Sequence, residues 1–158
     1  ERYGAMTIDE LCALRVRSVA TDDAHLYLWT TNSFLVEAHA VARSWGFKPK
    51  TMLTWVKIKP DGSPSMKTGF YYRGATEHVL FCTSRKNRRL FGPPHPTVFS
   101  TRRLPHSVKP DYFYGLVEQQ SHGPYLEMFS RQMRLGWTSW GNEVPHQIEL
   151  TEQVCELT

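Results

Sequence analysis

The chain has 158 residues, 41% hydrophobic and 22% charged, with a formal net charge of +4. That length reads as one domain able to bury roughly 68–70% of its unfolded surface, and the composition is that of a soluble globular protein. No apolar run approaches the ~18 residues of a membrane span, and a pI near 9.1 suits a polyanionic partner without proving one.

Cys12, Cys82 and Cys155 are odd in number and far apart, which indicates neither a disulfide framework nor a zinc site. A reducing, cytoplasmic setting is therefore the expectation. The histidines are scattered, with no HxxxH or HExxH pair to support metal catalysis. The chain opens on Glu-Arg-Tyr-Gly rather than Met, from which an absent upstream segment is expected.

In chain order, Thr7-Ile8-Asp9-Glu10 forms a capping box, and Ile8, Leu11, Cys12 and Val19 fall on one helical face. The pattern predicts a single amphipathic helix over 7–19. A turn at Thr21-Asp22-Asp23 leads into a buried strand, His25 to Thr31. Asn32 is placed to cap the next helix, whose buried face is Phe34, Ala38, Val41, Ala42 and Trp45, with Gly46 as its C-cap glycine. Phe47 to Ile58 reads as a second strand, with Pro49 tolerated only near its start.

Residues 59–70 are turn-rich. Thr76 to Thr83 is a third strand, and Arg85 to Arg89 is a basic cluster, either a solvated connection or a phosphate contact. Thr97 to Thr101 suits a short edge strand. Lys109-Pro110-Asp111 starts a helix burying Phe113, Leu116 and Val117.

Pro124 to Val144 is the most informative stretch. A short apolar run holds one acid, Glu127; a basic loop with Arg131 and Arg134 ends on Gly136; a second run, Trp137 to Trp140, closes with Gly141-Asn142-Glu143. A carboxylate at a strand end followed by basic and amide groups suits a nucleoside pocket at the carboxyl edge of an α/β sheet. The plainer alternative is a β-hairpin whose acid pairs with Arg131. His78 reads as a bonded core histidine rather than a catalyst. Trp137 and Trp140 read as core residues, with a pocket wall as the alternative.

Strands and helices alternate, which marks an α/β sheet with crossover helices. Crossovers are expected to align the strand ends at His25–Thr31, Glu77–Thr83 and Leu126–Phe129 along one edge.

The runs LYLWTTN, TEHVLF, KPD, LEMFSR and WGNE, in this order over residues 1 to about 145, resemble the N6-adenine methyltransferase family that includes the catalytic subunit of the eukaryotic messenger-RNA adenosine methyltransferase. The likeness is greatest to compact bacterial and phage members. It implies a methyltransferase domain over 1–145 and a tail over 146–158. The implied fold is an α/β, Rossmann-like class I S-adenosylmethionine-dependent methyltransferase fold of permuted order, with a mixed, mainly parallel sheet and flanking helices.

The implied activity is methyl transfer from S-adenosyl-L-methionine to the exocyclic amine of adenine in DNA, with RNA as the alternative. The resemblance also implies a nucleic-acid partner and a homodimer or heterodimer. It places Glu127, Arg131 and Asn142 on the cofactor, with Glu143 and Arg134 beside them. The family's Asp-Pro-Pro-Trp catalytic motif does not occur in these residues. Either it belongs to a missing segment, or this is a non-catalytic member that partners an active subunit. On the substrate side stand Lys57, Tyr71, Tyr72 and Arg73, basic groups interleaved with aromatics as single-stranded or flipped bases require. Their alternative is a solvated loop with packed tyrosines.

Overall fold

The computed structural model describes residues 6–86, 88–145 and 148–150. Helix α1 (Ile8–Ala13) opens with the expected capping box: the Thr7 amide donates to Glu10 Oε2 at 2.6 Å and the Glu10 amide to Thr7 Oγ1 at 3.2 Å. The single helix expected over 7–19 is broken. Leu14 is extended, and the Arg15 amide donates to the Leu150 carbonyl at 2.9 Å instead of to the preceding turn. A second short helix, α2 (Val16–Val19), follows.

Strand β1 (His25–Thr30) leads through a 3-10 turn, Asn32–Phe34, into α3 (Leu35–Ser44). Asn32 makes no capping bond; its Oδ1 faces His78 Nε2 at 2.9 Å, so a tertiary partner has taken the side chain. Gly46 does end α3 as expected. At φ +80° it lets its own amide reach the Arg43 carbonyl and the Phe47 amide reach that of Ala42, a Schellman motif.

Strand β2 (Lys48–Ile58) carries a bulge between Pro49 and Thr51, where proline cannot donate to the ladder. Strands β3 (Thr76–Thr83) and β4 (Val98–Arg102) complete a sheet of order β1-β3-β2-β4, with β4 at the expected edge. Helix α4 (Asp111–Gln120) then leads to β5 (Tyr125–Met128) and β6 (Trp137–Trp140).

Two ladders are antiparallel, β1/β3 and β2/β3, and two are parallel, β2/β4 and β5/β6. The sheet structure is therefore mixed but not mainly parallel, because β3 returns between β1 and β2. For the same reason Thr83 lies at the opposite edge from Thr30, and the amino-terminal end of β3, Thr76 and Glu77, joins the ligand edge. Nor are β5 and β6 a hairpin: they run parallel, and residues 129–136 carry the chain back.

The sheet has two apolar faces. Leu26, Leu28, Leu80 and Cys82 pack with α1 and α3, while Trp29, Trp55, Val79 and Phe99 pack with α4. The same division continues onto the separate pair: Leu126 and Met128 join the first cluster, Tyr125 and Trp137 the second. The molecule is thus three layers, helix on sheet on helix.

Candidate functional site

The site lies where β1, α4, β5 and β6 meet. A cavity of about 1380 Å³ opens there, and Glu127, Arg131, Arg134 and Asn142 all line it. Glu127 ends β5. Its Oε1 accepts from the Tyr114 hydroxyl at 2.6 Å and its Oε2 from Ser130 Oγ at 3.3 Å, so the carboxylate is held in place. After it, Phe129 takes φ +60°, turning the chain out of the strand. Gly141 sits so close to the Ser130 backbone that a Cβ there would meet the Ser130 carbonyl oxygen at 2.3 Å. The glycine therefore lets the ends of β5 and β6 close together beneath Asn142.

Helix α4 supplies the opposite wall. Asp111 and Tyr114 lie one turn apart on its first turns, and both line the cavity. The Arg134 guanidinium lies 3.8 Å from the Tyr114 ring and pairs with Asp111. Burial, then the bond to Glu127, pushes the Tyr114 phenol well above its ordinary value, so it acts as a donor. Burial alone would lower the Arg134 pKa, but Asp111 outweighs it and fixes the guanidinium as a cation.

Lys109, immediately before α4, also lines the cavity. Its Nζ lies 2.8 Å from Glu77 Oε2 and 4.3 Å from the Trp29 ring. Lys57 pairs with the other oxygen of Glu77 and sits 4.5 Å from the Trp55 ring. Burial would raise the Glu77 carboxyl, but hydrogen bonds from Lys109 and Lys57 prevail and hold it below the usual range. One carboxylate thus ties β2, β3 and the start of α4 together at the ligand edge.

The expected cofactor residues converge with one departure. Glu143 does not line the cavity; it pairs with Arg131 at 3.8 Å at its rim. The substrate-side residues separate. Lys57 is 7% exposed and committed to Glu77, so it presents no free ammonium to a ligand. Tyr71 and Tyr72 are fully exposed, with Arg73 beside them, so they are not packing residues. His78 is bonded on both nitrogens, to Thr54 and Asn32, as a structural histidine. Trp137 and Trp140 pack in the two apolar clusters and also border the cavity. In the basic cluster, Arg88 is tied to Asp23 and stacks on Phe91 at 4.9 Å.

Sequence reading missed Lys109, Asp111, Tyr114 and Glu77. The i, i+3 spacing of Asp111 and Tyr114 was the available signal for a shared helix face; the convergence of Lys57 and Lys109 on Glu77 had none, since strand order decides it.

The site is a cavity at a sheet edge of an α/β domain, lined by a fixed carboxylate, an amide and several cations. Comparison with known proteins agrees. The MT-A70 family model matches residues 1–143, and the chain belongs to that family. It is 30% identical over 156 residues to the type II methyltransferase M.MunI of Mycoplasma sp, covering 96% of this chain and 64% of that protein. It is 28% identical over 144 residues to the N6-methyladenosine RNA methyltransferase MTA1 of Cryphonectria parasitica, covering 86% and 42%. It is 26% identical over 147 residues to the human N(6)-adenosine-methyltransferase catalytic subunit METTL3, covering 90% and 25%. The chain thus spans less than two thirds of the length of these relatives. MT-A70 methyltransferases take their methyl group from S-adenosyl-L-methionine.

The residues present fit such a cofactor. Glu127 can accept from ribose hydroxyls, and Asn142 can serve either a hydroxyl or a base edge. Lys109 and Arg134 add positive charge to the cavity wall, which suits a ligand that carries a carboxylate. The close approach permitted by Gly141 lets the β5 and β6 ends frame a ligand.

Proposed function

We propose that this protein transfers a methyl group from S-adenosyl-L-methionine to the exocyclic amine of adenine in DNA, using a permuted Rossmann-like fold. The observation that carries the reading is the convergence of Glu127 and Asn142 on one cavity in an MT-A70 chain. DNA is favoured by the type II methyltransferase, matched at 30% across 96% of the chain; the RNA relatives, at 28% and 26%, support RNA as the alternative.

When bound, the cofactor supplies an electrophilic methyl on a sulfonium. This chain's residues bind and orient it. Glu127, fixed by Tyr114 and Ser130, accepts from the ribose. Asn142 and Arg131 hold the nucleoside rim, and Glu143 keeps Arg131 in place. Lys109 and Arg134 attract the carboxylate. Much of such a transfer is alignment of amine, methyl and sulfur, which a rigid strand-end site provides. An adenine in duplex DNA must leave the stack to reach it. Tyr71, Tyr72 and Arg73 supply exposed rings and charge for the displaced strand.

Residues 1–158 hold no Asp-Pro-Pro-Trp run, and this supports a second reading, a non-catalytic nucleic-acid-binding partner of the same fold in a heterodimer. The test is labelled methyl transfer by the intact gene product to single- and double-stranded oligonucleotides with and without adenine. Transfer to adenine in DNA is expected; cofactor binding without transfer would leave the partner reading. Calorimetry of Glu127→Gln and Asn142→Ala should show cofactor affinity about tenfold weaker, the loss of one charge-assisted or buried hydrogen bond. Unchanged affinity in both variants would refute the site.

A further inference from the structure

Glu127 is reached by a donor from another element. The Tyr114 hydroxyl, on the first turns of α4, donates to its Oε1 at 2.6 Å. Ser130 Oγ has a single hydrogen, shared between Glu127 Oε2 at 3.3 Å and the Gln132 carbonyl at 2.6 Å, and the shorter contact claims the larger share. Tyr114 is therefore the main restraint on the carboxylate. A glutamate side chain is long and loses much rotamer freedom when it is fixed, so such a restraint matters to what the carboxylate can hold.

Tyr114 is itself held on two sides. The Arg134 guanidinium lies over its ring, 3.8 Å from the centroid, and Trp137 meets it edge-on at 5.3 Å with the ring planes at 80°. Trp137 is anchored in turn, its Nε1 donating to Glu118 Oε1 at 2.7 Å, one turn of α4 beyond Tyr114. Arg134 pairs with Asp111, one turn before Tyr114 on the same helix face. The Asp111 side chain is 88% exposed, so that pair adds little stability by itself. What it does is fix where the guanidinium lies.

An ionised carboxylate offers about four acceptor positions, two on each oxygen. Tyr114 occupies one on Oε1 and Ser130 one on Oε2. One position on each oxygen is left, which suits two neighbouring hydroxyls of a ribose. Glu127, Tyr114 and Arg134 all line the cavity, so the restraint and the free acceptors belong to one wall.

We propose that Tyr114 is a positioning residue for ribose recognition: it holds Glu127 in the rotamer that presents its free acceptors to the cavity, and Arg134, set by Asp111, keeps the Tyr114 ring in place. Tyr114 acts through Glu127, not on the ribose itself. Arg134 thereby serves the nucleoside half of the ligand, separately from its charge toward a carboxylate. The inference rests on the cofactor reading of the cavity and deepens it.

Calorimetry on the intact gene product with S-adenosyl-L-homocysteine, the demethylated cofactor, tests it through a double-mutant cycle. Tyr114→Phe should bind about tenfold more weakly than the parent and show no further loss in a Glu127→Ala background. With the 2′,3′-dideoxy form of the same ligand, which offers Glu127 no hydroxyl, parent and Tyr114→Phe should bind alike; this comparison cancels any general effect on the fold. Arg134→Gln should weaken binding of 5′-methylthioadenosine, which has no carboxylate, about threefold. Unchanged affinity of Tyr114→Phe overturns the proposal. So do equal losses with and without Glu127, or with and without the ribose hydroxyls, which make Tyr114 a packing residue. Unchanged methylthioadenosine binding by Arg134→Gln overturns the part given to Arg134 and Asp111. A parent protein that binds no S-adenosyl-L-homocysteine overturns the cofactor reading and the proposal with it.

Discussion

Strands β1 and β3 lie side by side and teach opposite lessons about hydrophobicity. His25–Thr30 has Leu, Tyr, Leu and Trp in succession, yet all six residues are only half-buried. Thr76–Thr83 carries Thr, Glu and His, yet its last five residues are buried. The difference is the number of occupied edges. Among the described residues strand β3 is flanked by β1 and β2, whereas β1 has β3 alone. Strand β5, with one partner, is half-buried throughout in the same way. In β1, β3 and β5 burial follows pairing.

The largest test of that contrast is a pair of core truncations in the intact gene product. Leu80, opposite Leu28 in the β1/β3 register, is 2% exposed. Leu80→Ala should cost about 3–5 kcal/mol by urea denaturation. Leu28→Ala, half-buried on a strand with one partner among the described residues, should cost less, about 1–2 kcal/mol. A Leu28→Ala penalty as large as that of Leu80→Ala would break the argument.

A second, smaller effect concerns the ligand edge. Glu77 holds two lysines with little solvent around them. Glu77→Gln leaves both ammonium groups without their carboxylate and should cost about 3 kcal/mol at neutral pH. The pH dependence has a definite sign. Because the folded Glu77 pKa is depressed, its contribution is present above the ordinary value of 4.5 and is lost as pH falls through the folded value. The difference between wild type and variant should therefore narrow on acidification below that value. A gap that stays constant down to about pH 2 would detach Glu77 from the lysines.

What the sequence made legible follows the same division between local and non-local causes. The capping box at Thr7, the glycine at Gly46 and the limits of Thr76–Thr83 are set by nearby residues, and each stands where the pattern placed it. Glu127 and Asn142 were placed on one hollow by motif, and they do share it. The break at Leu14 was not legible, because it depends on the Leu150 carbonyl far along the chain. The direction of β3, the parallel run of β5 and β6, and the burial of Lys57 were hidden for a like reason. Each is decided by which strand lies alongside, and an alternating pattern cannot name its neighbour.

The smallest effect on stability and the clearest on binding belongs to the loop before β3. Phe70, Tyr71 and Tyr72 are fully exposed, in contrast to every aromatic of the sheet. Double truncation, Tyr71→Ala with Tyr72→Ala, removes no buried surface, so the unfolding midpoint should not move. If these rings stack on displaced bases, single-stranded oligonucleotide affinity should fall roughly tenfold, with similar losses for adenine-containing and adenine-free strands, since stacking tolerates any base. The slope of affinity against salt should remain that of the parent, because the cations Lys67 and Arg73 are untouched. Unchanged affinity would make the loop a surface without a role in the strand's path. A changed salt slope would show instead that the tyrosines order the neighbouring cations, and the aromatic contrast between loop and sheet would then be one of position rather than of function.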